Sequence, residues 1–213
     1  MHRETLQRYM NYLLLLTKLK SEGRATVTSD ELAVREGVTG SRVRQDLSAL
    51  RILGKPRQGY RIADLEILIS SMLDILSAKP VALVGIGNLG RALVLSDIWS
   101  HAGFDLVALF DADPAVIGTA VAGIPVRDAA TMERFIQEQG IESACLALPA
   151  DKAQAVADRL VNAGVRAFWN FALIDLDVPA GIIVENQRLE QGLMALSFRI
   201  AKRNSDQARG PQD

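Results

Sequence analysis

The sequence predicts an α/β protein with an N-terminal winged helix-turn-helix domain and a C-terminal Rossmann-type domain built on a parallel sheet. Two changes of pattern along the 213-residue chain support this prediction. Helical periods separated by turn residues fill residues 4–77, and short apolar runs alternate with helical segments over 81–171. A glycine-rich motif at 85–90 joins the first apolar run to a helix, as in dinucleotide-binding folds.

The N-terminal region reads as three helices, a hairpin and a connecting helix. Apolar residues at helical spacing define the helices, Gly23 and Gly37 end two of them, and Lys79-Pro80 marks the change of domain. The predicted elements are helices over 4–21, from 28 or 29 through 34, from 39 or 41 through 50 and over 64–77, with a hairpin over 52–62. Either Ser29 or Thr28 can cap the free amides at the start of the second helix.

The C-terminal region reads as strands separated by helices, which predicts a parallel sheet covered on both faces. The predicted strands are 81–84, 106–110, 143–148 and 166–171, and the predicted helices are 88–102, 128–139 and 151–163. A last helix over 187–203 places Leu189, Leu193, Leu196 and Ile200 on one stripe. The predicted domains are 1–79, 80–186, a dimerisation helix over 187–203, and a polar, disordered tail over 204–213.

Charge is distributed unevenly along the chain. Residues 1–79 contain 13 Lys and Arg against 9 Asp and Glu, whereas residues 80–213 contain 11 against 16. Within 42–61 six basic residues accompany a single acid, Asp46. Such local clustering is typical of a surface that contacts phosphates, although solvated basic faces are also common.

Several function classes are disfavoured. The leucine run 13–16 is too short to span a membrane, and the N-terminus does not have the pattern of a signal peptide, so we expect a cytoplasmic protein. Cys145 is the only cysteine and lies in an apolar run, which indicates a buried, inert thiol and no metal cluster. The two histidines, His2 and His101, belong to no recognisable acid–base site, so we expect no enzyme.

The glycine motif is the strongest chemical signal. Gly85 permits a tight turn, Gly87 lets the backbone approach a pyrophosphate, and Gly90 allows the helix to pack closely on the strand. Asp111 follows the second strand, where a carboxylate can bind a ribose diol and disfavours a 2′-phosphate, which favours NAD(H) over NADP(H). The alternative is that Asp111 only caps its own turn. The motif residues are Gly85, Ile86, Gly87, Asn88, Leu89 and Gly90.

Residues 29–47 have helix-turn-helix form, and the N-terminal part of the second helix would meet base edges. Arginine can pair with guanine and glutamine with adenine. The predicted DNA-contacting residues are Ser41, Arg42, Arg44 and Gln45 on that helix, with Lys55, Arg57 and Arg61 around the hairpin. The alternative is a three-helix protein-interaction domain with a solvated basic face.

Taken together, these motifs resemble the Rex family of redox-sensing transcriptional repressors over about residues 4–200. The matching segments are 43–48, 54–60, 84–93, 110–114, 123–126, 148–150, 169–172 and 196–198. The resemblance implies a homodimer that binds double-stranded operator DNA, senses NADH and NAD⁺, and inserts its C-terminal helix between the domains of its partner. It also implies that Pro149, Asn170 and Phe171 lie around the nicotinamide half of the pocket.

The chain departs from the family pattern at positions that matter for the response to NADH. The family connects its nicotinamide pocket to the DNA-binding domain through an arginine, a tyrosine and an aspartate, and ungapped matching places Thr5, Ser96 and Arg188 there. Gln45 replaces a customary lysine. Two other functions stay open. The first is a Rex-like regulator that senses another adenine nucleotide, such as a CoA derivative, because the C-terminal domain also resembles CoA-binding Rossmann domains. The second is an NAD-dependent enzyme with an accessory helical domain.

Overall fold

The computed structural model describes residues 2–52 and 59–208. They form two compact units, which are described separately. The first comprises Met1–Ala78 with His101–Gly103, and the second comprises Lys79–Ser100 with Phe104–Asp213.

The first unit is a bundle of short helices with a two-stranded ribbon. Its elements are α1 (Arg3–Ser21), β1 (Thr26–Val27), α2 (Ser29–Glu36), α3 (Gly40–Ala49), β2 (Tyr60–Arg61) and α4 (Ile62–Met72). A capping box starts α2, because the Thr28 hydroxyl accepts from the Glu31 amide and the Glu31 carboxylate accepts from the Thr28 amide. Gly37 ends α2 with φ +63°, and the Thr39 side chain caps α3. These local signals set the spacing of the helix-turn-helix.

The small ribbon differs from the predicted hairpin. Tyr60–Arg61 pairs antiparallel with Thr26–Val27, and Ile52 belongs to no strand. A two-residue strand is too short to give a periodic signal, which is why β1 was not predicted. The helices enclose one apolar core, whose fully buried members include Tyr12, Leu16, Leu32, Leu47, Leu65 and Ile69.

The second unit contains a seven-stranded sheet in the order β5-β6-β4-β3-β7-β8-β9. Its strands are β3 (Lys79–Val84), β4 (Phe104–Asp111), β5 (Ala120–Val121), β6 (Ile124–Asp128), β7 (Ser143–Leu146), β8 (Ala167–Asn170) and β9 (Ile183–Asn186). Within this sheet, the described strands pair in parallel except for β5 and β6, which are antiparallel. Chain order reverses between β3 and β7, which is the switch point where open α/β sheets bind ligands.

The helices of the second unit cover both faces of the sheet. They are α5 (Asn88–Val94), α6 (Ile98–His101), α7 (Met132–Gln139, after a 3-10 turn at Ala129–Thr131) and α8 (Ala150–Ala163). The last helix, α9 (Leu189–Ala208), contributes no residue to the buried clusters of the sheet, and its residues 191–205 are exposed. Ala82 and Val84 of β3 pack in the cluster that holds α7 and α8, whereas Val81 and Leu83 pack with α5 and α6. This alternation follows from the two-residue period of a strand.

Three helices differ from their predicted extents. The helix predicted over 64–77 is α4, which ends at Met72, and Asp74 just beyond it has φ +55°, outside helical geometry. Residues 88–102 form α5 and α6 instead of one helix, because the Ser96 hydroxyl and the Trp99 indole both donate to the Leu93 carbonyl and stabilise a turn. The last helix continues to Ala208, so residues 204–208 are helical where the sequence predicted a disordered tail. Residues 209–213 lie outside the described part of the chain.

The predicted burial of Cys145 is confirmed. Its side chain is fully buried in β7, and burial raises the pKa of the thiol to about 12, which disfavours the reactive thiolate. Within residues 2–52 and 59–208, no helix is both long and apolar enough to cross a membrane.

Candidate dinucleotide and nucleic-acid sites

The predicted dinucleotide residues gather at the carboxyl edge of the parallel sheet. The motif beginning at Gly85 follows β3, Asp111 ends β4, and Asn170 ends β8. Hydrogen bonds continue the sheet just beyond these strands, from the Gly85 amide to the Phe110 carbonyl and from the Phe171 amide to the Leu146 carbonyl, both 2.9 Å. The segments are therefore fixed beside the switch point between β3 and β7.

The glycines of the motif have the conformations and spacing that a phosphate loop needs. Gly85 has φ +98°, and a Cβ there would lie 2.4 Å from the Ala147 carbonyl oxygen. A Cβ on Gly90 would lie 1.9 Å from the Gly85 oxygen, so the helix approaches the strand closely. At Gly87 a Cβ would meet no atom within 4 Å, and this residue faces open space at the start of α5. Close packing thus explains Gly85 and Gly90, while Gly87 leaves its backbone accessible.

Asp111 is tied to the glycine loop. Its Oδ2 accepts from the Ile86 amide at 2.6 Å, and its Oδ1 accepts from the Asp113 amide at 2.9 Å. The second bond, from the Asp113 amide, is the cap expected if Asp111 only stabilises its own turn. The first fixes the carboxylate beside the loop, and the side chain stays partly exposed. A carboxylate has about four acceptor positions, so these two bonds leave capacity for a ribose diol.

The residues implied for the nicotinamide half have different environments. Pro149 is exposed at the N-cap of α8, and Phe171 is half-buried with its ring edge-on to Trp169 at a centroid distance of 4.5 Å. Asn170 is fully buried, and its amide group donates to the Ile174 carbonyl at 2.9 Å and to Asn186 Oδ1 at 2.8 Å. Asn170 thus holds the loop after β8 in shape, and its side chain has no exposed surface with which to contact a ligand.

In the first unit, α3 presents an exposed polar face. The four residues predicted on this helix are all exposed, and they are Ser41, Arg42, Arg44 and Gln45. Val43 and Leu47 are fully buried on the opposite face. The arrangement is the one expected for a recognition helix, because the polar residues lie on the face away from the core.

Both arginines of α3 contact side chains of their own unit. Arg44 Nη1 donates to the Ser29 hydroxyl at 2.8 Å and lies 3.9 Å from Asp30 Oδ1. Arg42 Nε lies 3.4 Å from Asp46 Oδ1. Both guanidinium groups nevertheless remain about half exposed, so they are held in place while still accessible.

The remaining predicted DNA-contacting residues surround the ribbon. Arg61 is exposed in β2 and lies 3.7 Å from Asp64. Lys55 and Arg57 fall outside the described residues, so their predicted contacts with DNA stay predictions.

A buried polar cluster around Asp46 was not predicted from the sequence. The Asp46 side chain is 4% exposed, yet its carboxylate accepts from Arg8 Nε at 2.7 Å, Arg8 Nη2 at 3.0 Å and the Tyr12 hydroxyl at 3.1 Å. The Tyr9 hydroxyl donates to the Asp46 carbonyl at 2.6 Å. The cluster therefore joins α1 to α3. Its signals in the sequence are the i, i+4 spacing of Arg8 and Tyr12 and the isolation of Asp46 among basic residues.

Protonation in this cluster favours the ion pair. Burial alone would raise the pKa of Asp46, but hydrogen bonds from Arg8 and Tyr12 outweigh it, so the pKa lies below its ordinary value. Burial raises the pKa of Tyr12 well above its ordinary value, and the charge of Asp46 raises it further. Tyr12 is therefore a neutral donor and Asp46 a charged acceptor at neutral pH. In the described part of the chain, no group of histidine, cysteine and acidic side chains is arranged to hold a metal ion.

Two family profiles match separate parts of the chain. Residues 77–174 match the family described as "CoA binding domain", and residues 3–48 match the family described as "Putative DNA-binding protein N-terminus".

Full-length relatives and solved structures cover nearly the whole chain. The redox-sensing transcriptional repressor Rex of Streptomyces coelicolor is 40% identical over 96% of this chain and 79% of its own length. Rex 1 of Thermotoga maritima is 36% identical over 93% of this chain and 95% of its own. A crystal structure of RSP with β-NADH is 33% identical, has a TM-score of 0.86 and covers 98% of both chains. RSP with β-NAD⁺ and operator DNA is 32% identical and has a TM-score of 0.85 over 100% of this chain and 99% of that one.

Proposed function

The chain belongs to the Rex family of redox-sensing transcriptional repressors, and from this membership we propose that it is a repressor whose affinity for operator DNA depends on bound NAD(H). The observation that supports this most directly is the likeness to RSP over the whole chain, since RSP has been seen both with β-NADH and with β-NAD⁺ and operator DNA. The relatives are named as repressors, and an enzymatic role is not supported by any of them.

The residues at the carboxyl edge of the sheet fit a dinucleotide. Gly87 leaves backbone open at the start of α5, where amide groups favour phosphate, and Asp111 offers carboxylate oxygens to a ribose diol. We assign Asn170 to positioning of the loop after β8, and we assign Pro149 and Phe171 to the surface beside the nicotinamide half. The signal would be whether the bound dinucleotide is in its oxidised or its reduced form.

The exposed face of α3 fits the major groove of DNA. We propose that Arg42, Arg44 and Gln45 reach base edges, with Ser41 and Arg61 near phosphates. Lys55 and Arg57 complete the proposed surface from the sequence alone. A repressor with these tasks would operate in the cytoplasm, where it meets both DNA and the NAD(H) pool.

The protein is proposed to act as a homodimer through α9. Large apolar side chains on this helix are 45–70% exposed, and they are Leu189, Leu193, Met194, Leu196, Phe198 and Ile200. Leu189, Leu193, Leu196 and Ile200 share one face of the helix, and Met194 and Phe198 lie on the opposite face. So much exposed apolar surface on one helix is unusual for an isolated chain and indicates a partner surface. A two-fold dimer would read a near-palindromic operator with half-sites about one helical turn, or a multiple of it, apart.

A second candidate ligand is a CoA derivative, because residues 77–174 match the CoA-binding family. Both ligands contain an adenine nucleotide with a pyrophosphate, which the glycine loop could hold. CoA has a phosphate on its ribose 3′-oxygen, which the Asp111 carboxylate would repel, whereas the free ribose diol of NAD(H) can donate hydrogen bonds to that carboxylate. Isothermal titration calorimetry in which NADH and CoA compete for the protein shows which of the two ligands binds more tightly.

One experiment tests the whole proposal. The full-length protein is incubated with a pool of random duplex DNA in the presence of NAD⁺ or NADH, and retained sequences are determined. We expect a near-palindromic motif whose recovery differs between the two nucleotides. If no motif is enriched with either nucleotide, specific DNA binding is wrong. If a motif is enriched equally in both, the nucleotide dependence is wrong.

A further inference from the structure

The hydrogen bond between Ser29 and Arg44 joins two helices with different roles. Ser29 is the first residue of α2 and is 8% exposed, whereas Arg44 lies on the exposed face of α3. The distance from Arg44 Nη1 to Ser29 Oγ is 2.8 Å. Ser29 is thus too buried to reach DNA, but it contacts a side chain that is accessible to DNA.

The position of the Ser29 hydroxyl is fixed by its surroundings. It lies within the Thr28–Glu31 capping box, which fixes the first turn of α2 by reciprocal hydrogen bonds. Its acceptor oxygen therefore holds one nitrogen of the guanidinium group of Arg44 at a set place. The other N–H groups of that planar fork are left for further acceptors.

Gly40, the first residue of α3, lies beside the side chains of Asp30 and Arg44. Its φ is not in the left-handed region, so backbone conformation does not require glycine. Instead, a Cβ at this position would lie 1.8 Å from Asp30 Oδ1 and 3.2 Å from Arg44 Nη1. Both atoms are the ends of exposed, flexible side chains that could move aside, so glycine at position 40 leaves room for the observed positions of these side chains but is not required by the packing of the two helices.

We propose that Ser29 is a positioning residue for DNA recognition, which orients Arg44 for a base edge while making no contact with DNA itself. The inference rests on the proposed function and adds to it a residue that determines specificity. An arginine has several rotatable bonds, and immobilising it on binding is unfavourable. A hydrogen bond that already restrains Arg44 in the free protein reduces the conformational entropy lost on binding. It also narrows the directions in which the guanidinium group can point.

Asp30 acts differently on the same arginine. Its carboxylate is 81% exposed and lies 3.9 Å from Arg44, so it competes with DNA for the cation and repels phosphates. Asp30→Asn is therefore expected to strengthen binding to every duplex, most at low salt. Ser29→Ala is expected to weaken binding to the selected motif alone.

The test is a double-mutant cycle in the full-length protein. Ser29→Ala, Arg44→Ala, the double variant and the parent are titrated with a fluorescein-labelled duplex bearing the motif selected by the parent, and with a scrambled duplex. Ser21→Ala is the matched control, because it removes a hydroxyl whose 2.7 Å bond to the Lys18 carbonyl lies within α1. Thermal unfolding of each variant shows whether the fold is retained.

We expect Ser29→Ala to weaken binding to the motif about three- to tenfold, the scale of ordering one long side chain. Binding to the scrambled duplex and the thermal midpoint should match those of Ser21→Ala. Ser29→Ala should have no further effect once Arg44 is alanine, and both single variants should relax base preference at the same position.

Other outcomes overturn the inference and are distinguishable from failure of the proposed function. Additive effects of the two substitutions, or unchanged motif binding by Ser29→Ala, would show that Ser29 only starts α2. Unchanged binding by Arg44→Ala would remove the arginine from recognition and the inference with it, while motif selection by the parent would still support a DNA-binding repressor. Absence of any selected motif would reject the proposed function itself.

Discussion

The guanidinium group of Arg8 donates to both oxygens of the Asp46 carboxylate, from Nε to Oδ2 at 2.7 Å and from Nη2 to Oδ1 at 3.0 Å. This two-point contact joins α1 to α3 across 38 positions of sequence. Its planar geometry fixes the orientation of α3 as well as its distance from α1. The predicted recognition helix is thus joined to α1 through its buried face by an ion pair, in addition to its apolar contacts.

Replacement of Asp46 by alanine should destabilise the first unit by about 3–5 kcal/mol, because it leaves the buried Arg8 charge without its carboxylate partner. The aromatic residues allow each unit to be followed separately, since Tyr9, Tyr12 and Tyr60 lie in the first and Trp99 and Trp169 in the second. Urea denaturation should shift the tyrosine near-ultraviolet transition to lower urea and leave tryptophan fluorescence unchanged.

A matched control is the Glu133–Arg159 ion pair between α7 and α8, where both side chains are more than one-third exposed. Glu133→Ala should shift only the tryptophan transition, and by less than about 1 kcal/mol, as for other exposed pairs. An Asp46→Ala protein whose two transitions both match those of the parent would show that the cluster contributes no stability.

Stability of the first unit should also depend on pH through Asp46. The pKa of its carboxyl is lowered in the folded state, mainly because the bonds from Arg8 and Tyr12 outweigh the effect of burial. The resulting stabilisation is fully present above the unfolded pKa of about 3.9 and is lost as the pH falls through the lower folded pKa. The difference in unfolding free energy between parent and Asp46→Asn should therefore be constant from pH 7 to pH 5 and become smaller below pH 4.

Asp111 should contribute to affinity for the dinucleotide and to the choice of cofactor. Asp111→Ala is expected to weaken NADH binding by about 1.5–3 kcal/mol, the scale of a hydrogen bond to a charged group, and the parent should bind NADPH more weakly than NADH. Isothermal titration calorimetry measures both.

The control for Asp111 is Asp128→Ala. Asp128 ends the neighbouring strand β6 and caps the following turn through the Ala130 amide at 2.8 Å, so its loss removes a similar cap without touching the glycine loop. If Asp128→Ala weakens NADH binding as much as Asp111→Ala does, or if NADPH binds as tightly as NADH, Asp111 serves only its own turn.

The contact of Lys55 with DNA is inferred from the sequence alone, and the variant Lys55→Ala tests it. Lys55→Ala should weaken binding to motif and scrambled duplexes alike and reduce the slope of log affinity against log salt by about one, because one phosphate contact is lost. Fluorescence anisotropy at several salt concentrations measures the slope. A loss confined to the motif would instead make Lys55 a base-reading residue.

The sequence predicted those features whose signals are local. The glycine motif after β3 and the caps around Thr28 and Gly37 involve neighbouring residues, so spacing alone indicates them. The break between α5 and α6 was missed because it depends on the Ser96 and Trp99 side chains and on no glycine or proline.

Long-range relationships could not be predicted in this way. Arg8 and Asp46 are far apart in sequence, and neither residue alone indicates a buried pair. From the sequence, Ser29 likewise indicates only a helix cap. Its bond to Arg44 exists only once α2 and α3 are packed. Such contacts follow from tertiary packing, which a single sequence does not contain explicitly.

The response to NADH is expected to differ from that of typical family members, because the three departing positions all have partners within their own units. The Thr5 hydroxyl accepts from Arg8 at 3.1 Å, and the Ser96 hydroxyl donates to the Leu93 carbonyl at 2.7 Å. Neither group is a charge, and neither is free to exchange partners without losing an existing bond.

Arg188, the third position, belongs to a network that reaches the carboxyl edge of the sheet. It donates to Asp175 Oδ1, which also accepts from Asn186 at 3.1 Å, and Asn186 in turn accepts from the buried Asn170. Glu190 lies 3.9 Å from the same guanidinium. The charge of Arg188 is therefore already balanced at the start of α9.

A charge that is already paired gains less from a new partner, and a ligand shifts an equilibrium only by its difference in affinity for the two states. We therefore expect NADH to change operator affinity by less than about tenfold, or about 1.4 kcal/mol of coupling. Titration of a labelled operator at saturating NADH, at saturating NAD⁺ and without nucleotide measures this directly. Asp175→Ala, which releases Arg188, should alter the ratio between the NADH and NAD⁺ affinities, whereas Glu133→Ala should not. Near-complete release of the operator by NADH from the parent protein would show that other residues provide the coupling.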